Sequence, residues 1–244
     1  MAVATTHVPP TVRAVLRLPL RERIQHPVYR EWIRFLVFGR AVPAVLFAFM
    51  GWLQVGHVQQ AVGRDALMVV SRILYLAFCC IPVGLYLTRP MPVSRDGRLV
   101  ARAAAFGGTC MLLVIGAFVP SSRLLFNPSD ALVAVSGVLS IVAFGFACVG
   151  LGYLQRNLSI IPEARTLVTA GPYRLVRHPL YLAEITAALA LLLAAPYLTS
   201  AVSSLLFVVL QVTRARLEER LLSDTFPEYA AYVRRTRRLI PFVW

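Results

Sequence analysis

The stretch Ala131–Leu154, ALVAVSGVLSIVAFGFACVGLGYL, contains no charged residue. A bilayer's hydrocarbon core is about 30 Å thick, and a helix needs about 20 apolar residues to cross it. This stretch meets that length. Comparable windows recur at Phe35–Val55, Ala66–Leu87 and Ala103–Val119. Two shorter ones, Leu180–Ala195 and Tyr197–Val212, flank Pro196 and predict a tight helical hairpin. Of the whole chain, 58% is hydrophobic, where a soluble domain has about 45–50%. The expected fold is all-α: a polytopic membrane bundle of about six spans. It includes the C-terminal hairpin and is followed by a cytoplasmic C-terminal helix.

The net charge is +14, and every basic side chain is an arginine. In a soluble chain that balance would point to nucleic acid. Here the arginines flank apolar spans, so no nucleic-acid partner is expected. Six lie in the leader, four in 88–102, four in 155–179 and seven in the tail after Val212. With alternating spans all of these share one side, while the opposite loops hold only Arg64 and Arg123. The positive-inside rule then places both termini and the late polar segments in the cytoplasm, for a multi-pass plasma or inner membrane protein. The N-terminus lacks the apolar core of a cleaved signal. Residues 1–34 read as a basic leader at the membrane surface, 35–154 as four spans, and 155–244 as the binding and catalytic region.

Cys79, Cys80, Cys110 and Cys148 fall in apolar spans without metal-ligand spacing and read as buried thiols. His7, His26 and His57 have no ligand set nearby, and no metal is expected.

Two polar segments sit at the mouths of the hairpin. In GPYRLVRHPLYLAE, Gly171–Glu184, Pro179 suits the first turn of a helix. Arg177 and His178 therefore lie near a helix N-terminus. Tyr181 follows His178 by three residues, so the two can share a face. After the second apolar half, Arg214 and Glu218 are four apart on a continuing helix and also share a face, while Glu219 points elsewhere. A plainer reading exists for each segment. The first can be a juxtamembrane anchor with an aromatic belt, the second an exposed intrahelical ion pair. Against the plainer readings, the order of the first motif is specific, and a charge at the membrane boundary is costly unless paired or functional.

TLVTAGPYRLVRHPLYLAE, followed some thirty residues on by R-x-x-x-E-E-x-x-L-x-x-x-F-x-x-Y-x-x-Y, resembles the isoprenylcysteine carboxyl methyltransferase family. The likeness extends more loosely to membrane phospholipid N-methyltransferases. It covers about residues 157–241. The resemblance implies methyl transfer from S-adenosylmethionine to a lipophilic acceptor that enters from the bilayer. A prenylcysteine-like carboxylate is one such acceptor. The family's cofactor contacts map to Arg165, Thr166, Leu167, Val168, Tyr173, His178, Pro179, Leu180, Tyr181 and Glu218. Its catalytic, substrate-side arginine maps to Arg214. Two departures stand out: Ala183 replaces a common glycine, and Glu184 follows it.

The chemistry suits these residues. Glu218 can meet the cofactor's ammonium group, and an aromatic face can meet its cation or adenine ring. Arg214 can hold an anionic acceptor by a two-pronged contact. A polar cofactor enters from water and an apolar acceptor from lipid, so the site belongs at a span's mouth. Two other classes compete: a membrane reductase using a nicotinamide cofactor, and a non-enzymatic protein that binds membrane lipids or a partner.

Overall fold

The computed structural model describes residues 10–63, 65–118 and 123–240. The leader's first nine residues, Arg64, the end of the third span at Val119 with the start of the next loop, and the tail from Pro241 lie outside the described residues.

Three short helices, α1 (Pro10–Val15), α2 (Leu20–Gln25) and α3 (Pro27–Arg34), form the described leader. The leader is not separate from the first span. Helix α3 continues through a π-helical stretch, Phe35–Ala41, into α4 (Val42–Ala61). Pro43 accounts for the wider turn: it has no N–H to donate, and its ring would collide with a carbonyl one α-turn earlier. The first span thus belongs to a helical run of 35 residues, Pro27–Ala61, rather than beginning at Phe35.

Next come α5 (Ala66–Thr88), α6 (Leu99–Phe118) and α7 (Asp130–Leu154). Asp65 caps α5 by accepting the Leu67 N–H at 3.0 Å, and Ser129 caps α7 by accepting from Leu132 at 3.4 Å. Among the described residues, four helical runs are long and apolar enough to cross a membrane, with shorter apolar helices at Leu99–Met111 and Pro179–Ala194. The protein is an all-α integral membrane bundle.

The hairpin consists of α8 (Pro179–Ala194) and α9 (Leu198–Thr225). Its arms are unequal. Helix α9 does not change character at Val212 but runs on to Thr225, carrying the charged residues on the same rod. It stops at Phe226, which is extended because Pro227 follows. A last helix, α10 (Tyr229–Arg235), is followed by extended chain. The tail is therefore not helical up to Pro241. Val176 and Arg237 form a parallel bridge. Arg177 and His178 donate their N–H groups to the carbonyls of Arg237 and Arg238 at 2.7 and 3.1 Å.

In the bundle, α5 packs between α4 and α7, α8 between α7 and α9, and α6 against α9. Small residues line the close contacts: Ala143, Ala147 and Gly150 on α7, and Ala183 and Ala188 on α8, are all buried. Small side chains let membrane helices approach closely, which matters where lipid supplies no hydrophobic drive between them. Large side chains point outward, with Phe38, Trp52 and Leu205 each more than 65% exposed. Cys79 is buried as expected, but Cys80 is exposed on the outside of α5.

At one end, the loop after α5 meets the segment after α7 through two short strands, β1 (Ser94–Arg95) and β2 (Glu163–Ala164), paired antiparallel. At the other end, the α8–α9 turn meets the loop before α7: Leu125 donates to the Pro196 carbonyl and Leu198 to that of Arg123. The 88–102 loop, the 155–179 segment and the tail thus gather at one end of the bundle.

Candidate active site

A cavity of about 640 Å³ runs inside the bundle between α4, α5, α7, α8 and α9. Its middle is apolar, with Phe47, Met50, Phe78, Phe144 and Leu191 among the lining residues. At the arginine-rich end its wall becomes polar and carries Tyr173, His178, Tyr181, Glu184, Arg214 and Glu218. The cavity joins a water-facing end to a lipid-like interior.

The first motif builds one wall. Gly171 has φ +58°, a conformation glycine adopts without strain, and an added Cβ would lie 2.6 Å from the Tyr153 ring. The chain then turns through Gly171–Arg174 and reaches Pro179 at the head of α8. His178 and Tyr181 stack with ring centroids 5.3 Å apart and planes 16° apart. The Tyr181 hydroxyl donates to Glu218 at 2.9 Å. Tyr173 is buried, and burial raises its phenol well above the usual value. Its carbonyl accepts from the Tyr232 hydroxyl at 2.7 Å.

The second motif builds the facing wall. Arg214 is 5% exposed and its guanidinium lies 4.9 Å from the Tyr181 ring centroid. It does not pair with Glu218. Its Nη1 donates to Gln211 at 2.9 Å and its Nη2 to the Ile160 carbonyl at 3.3 Å. Its Nε is buried with no partner among the described residues. Gln211, wholly buried, also donates its amide to Glu184. Gly108 on α6 makes room for this network: a Cβ there would stand 2.8 Å from Arg214 Cδ and 3.1 Å from Gln211 Oε1.

Glu219 turns away from the cavity. Arg177 donates to it at 2.7 Å, Arg238 donates from Nε at 2.9 Å and Nη2 at 2.5 Å, and His178 Nε2 lies 3.2 Å away. This clasp fixes the tail against the first motif, and it fixes the ring of His178 that stacks on Tyr181.

Tyr173, His178, Pro179, Leu180, Tyr181, Arg214 and Glu218 all line the cavity. Arg165, Thr166, Leu167 and Val168 are not among its lining residues. Arg165 donates to Glu163 at 2.6 Å and to the Pro90 carbonyl at 2.9 Å. Thr166 donates from its N–H and hydroxyl to Asn157 Oδ1 at 3.1 and 2.8 Å, and Asn157 is itself a lining residue.

Glu163 is part of this wall, with a side chain only 3% exposed, 2.6 Å from Arg95 and 3.2 Å from Arg89 in addition to Arg165. Burial alone would raise its pKa, but the charges of Arg89, Arg165 and Arg95 outweigh that and hold it below the ordinary value. Burial lowers Arg89 to about 10 despite Glu163. Arg40, presented by the π-helical stretch, donates to the Arg89 carbonyl.

Sequence reasoning did not single out Gln211, Glu163 or the Glu219 clasp, and noted Glu184 only as a departure. For Glu184 a signal was present, since a carboxylate on an otherwise apolar helix is costly unless it faces a partner or a cavity. Among the described residues, no group of three or more His, Cys, Asp or Glu side chains is placed to hold a metal ion.

Residues 132–224 match the family model of the isoprenylcysteine carboxyl methyltransferases. The cobalt-zinc-cadmium resistance protein CzcN of Cupriavidus metallidurans is 42% identical over 77 residues, 31% of this chain and 36% of that protein. The nickel-cobalt-cadmium resistance protein NccN of Alcaligenes xylosoxydans xylosoxydans is 33% identical over 108 residues, 43% of this chain and 51% of that protein. The chain thus spans about a third to a half of the length of these curated relatives.

Proposed function

From the match of residues 132–224 to the isoprenylcysteine carboxyl methyltransferase family model, we propose that the protein is a membrane methyltransferase and that it uses S-adenosylmethionine. We propose that it methylates a lipophilic acceptor reached from the bilayer. The observation that carries this reading is Glu218. Its carboxylate lines the polar end of the cavity, and its one hydrogen bond among the described residues comes from Tyr181.

S-adenosylmethionine, when bound, supplies a methyl group on a sulfonium cation. The residues present fit such a group. Glu218 offers a carboxylate to an ammonium, and a charge-assisted bond of that kind is about twice as strong as a neutral one. The stacked His178 and Tyr181 rings, set by Pro179 and flanked by Leu180, offer an aromatic face to a cation or a purine. Tyr173 closes the wall beside them. Arg165 acts through Glu163, a lining residue it holds in place. Thr166 acts through Asn157, and the half-buried Leu167 and Val168 follow it in the same segment.

The chain's contribution to the transfer is position and dryness. In-line displacement gains most from holding the reacting atoms in place and from exclusion of water. The Phe47, Met50, Phe78 and Phe144 section offers an apolar tail a place in the bundle while its reactive head reaches Arg214 and Tyr181. The arginine distribution assigns this end to the cytoplasm, where the cofactor is made available.

The test uses the protein in nanodiscs made from total membrane lipid, with methyl-tritiated S-adenosylmethionine. Label should pass into the organic extract and should fall at least tenfold when S-adenosylhomocysteine is added in excess. No labelled lipid, together with oxidation of NADPH under the same conditions, would replace this reading with the reductase.

A further inference from the structure

We infer that the end of the cavity away from the arginine-rich end is a lipid site. It takes a phospholipid with an aminoalkyl phosphate head: the phosphate against Arg72, the ammonium toward Gln54 and Asp65, and an acyl chain in the apolar section. The inference stands on the cavity itself, apart from the methyltransferase reading, and leaves the methyl acceptor open.

The first observation is a second polar end. The cavity is also lined by Gln54 and His57 late in α4, Asp65 and Arg72 at the start of α5, and Ser136 and Ser140 early in α7. Gly137 packs against Leu67, which sets the start of α7 beside the start of α5. Arg72 and Tyr86 both line the cavity from α5, and Tyr86 stands near its arginine-rich end. At 1.5 Å per residue they are about 21 Å apart along the helix. This end is therefore separate from Tyr181, Arg214 and Glu218.

The second observation is a pair of unmet polar groups. Gln54 is 7% exposed, and its Oε1 is buried without a hydrogen-bond partner among the described residues. A buried acceptor left unpaired is expensive. Arg72 is half-buried on a membrane span and makes no hydrogen bond or ion pair among the described residues. A cation within a span is costly unless paired or functional. The neighbouring serines do not answer Gln54, because Ser71 and Ser136 donate to the Met68 and Val133 carbonyls at 2.9 and 2.7 Å. One group lacks a donor and the other lacks an anion.

The order of charges selects the head. Asp65 caps α5 and is exposed at the rim, beside the exposed His57, whereas Arg72 lies deeper along the same helix. Helical side chains lean toward the N-terminus, so Arg72 reaches back toward Asp65. From water inward the wall thus presents an anion and then a cation, followed by the apolar Phe47, Met50, Phe78 and Phe144 section. A phospholipid of the opposite leaflet, with a chain in that section, presents the complement: ammonium outermost, phosphate next, chain innermost. A primary ammonium brings three N–H donors for Asp65 and Gln54. A choline head brings the same phosphate and no N–H.

The test is native mass spectrometry of delipidated protein after addition of phosphatidylethanolamine, phosphatidylcholine or phosphatidylglycerol. Wild type should retain phosphatidylethanolamine at least about tenfold better than phosphatidylcholine, as expected for hydrogen bonds to charged groups. Arg72→Gln should lower that retention at least about tenfold, and Gln54→Leu should narrow the preference over phosphatidylcholine at least about threefold. Arg123→Gln removes an exposed arginine at the same end that does not line the cavity, and it should change nothing. A second measurement needs only wild type. Phosphatidylethanolamine with a diazirine at one chain end should label Phe47, Met50, Phe78 or Phe144. Equal retention of phosphatidylcholine, stronger retention of phosphatidylglycerol, or equal losses in Arg72→Gln and Arg123→Gln would each overturn the inference. So would labelling confined to the outward-facing Phe38, Trp52 or Leu205. Neither measurement uses S-adenosylmethionine, so this inference and the methyltransferase reading fail separately.

Discussion

Glu219 and Glu218 are neighbours in sequence and opposites in their surroundings. Glu219 is saturated by Arg177, His178 and Arg238, and its side chain is 12% exposed. Glu218 accepts one hydrogen bond, from Tyr181, has His178 Nδ1 3.8 Å away, and its side chain is 33% exposed. The same contrast recurs on a larger scale. Glu163 is enclosed by Arg89, Arg95, Arg165 and Ser159, whereas Glu184 has one bond and faces the cavity. Closed carboxylates tie segments together. Open ones border the space where a ligand would sit with a single hydrogen bond each, whereas Glu163 borders it with both oxygens held by arginines. The difference separates what holds this end of the bundle from what is free to do chemistry there.

The largest expected effect comes from breaking the closed set. Glu163→Gln leaves Arg89 and Arg165 buried without their anion, and removing one partner of a buried pair typically costs about 3–5 kcal/mol. Thermal unfolding in nanodiscs should show a marked loss. Glu219→Gln should lose less, because its surroundings are wetter. The closed set also predicts a pH dependence. The Glu163 pKa is depressed in the folded protein from an ordinary value of 4.5. Its contribution is therefore complete above about pH 5 and is lost as pH falls through the folded value. Wild type should melt at an unchanged temperature from neutral pH to about pH 5 and at lower temperatures below that, and Glu163→Gln should flatten the decline.

A smaller effect comes from crowding the open set without touching its charges. In Gly108→Ala the new methyl meets Arg214 and Gln211 at about 3 Å. Overpacking costs about 1–3 kcal/mol, less where flexible side chains can yield. The expected outcome is a small drop in melting temperature, a roughly tenfold loss of methyl transfer and unchanged affinity for S-adenosylhomocysteine. A loss of cofactor affinity equal to the loss of turnover would show that Arg214 serves the cofactor side.

The contrast also explains what could be read from sequence. Spans were legible because length and lack of charge are local properties; Ala131–Leu154 became α7 almost residue for residue. The break at Pro196 was legible for the same reason. Contacts set by helical spacing were legible too: His178 stacks on Tyr181, and Arg214 and Glu218 face the same cavity. The closed carboxylates were not. Glu163 meets Arg89 and Arg95 across about seventy residues of chain, and Glu219 meets Arg177 and Arg238 from opposite sides in sequence. No periodicity encodes such pairs. The bridge between Val176 and Arg237 likewise depends on tertiary placement, and it turned a tail with helical pattern into extended chain. Helix α9 ran past Val212 because its charges lie on faces the fold either buries with partners or leaves wet, so nothing local ended it before Pro227.

The central claim is that Glu218 is open because it awaits a cationic ligand, while Glu219 is closed because it holds the fold. Calorimetry with S-adenosylhomocysteine on wild type, Glu218→Gln and Glu219→Gln tests it directly. A lost charge-assisted bond is worth roughly 1.5–3 kcal/mol, so Glu218→Gln should bind at least about tenfold more weakly with an unchanged melting temperature. Glu219→Gln should melt earlier, yet its folded fraction should bind with near-normal affinity. Unchanged affinity in Glu218→Gln, or a loss confined to Glu219→Gln, would contradict the account.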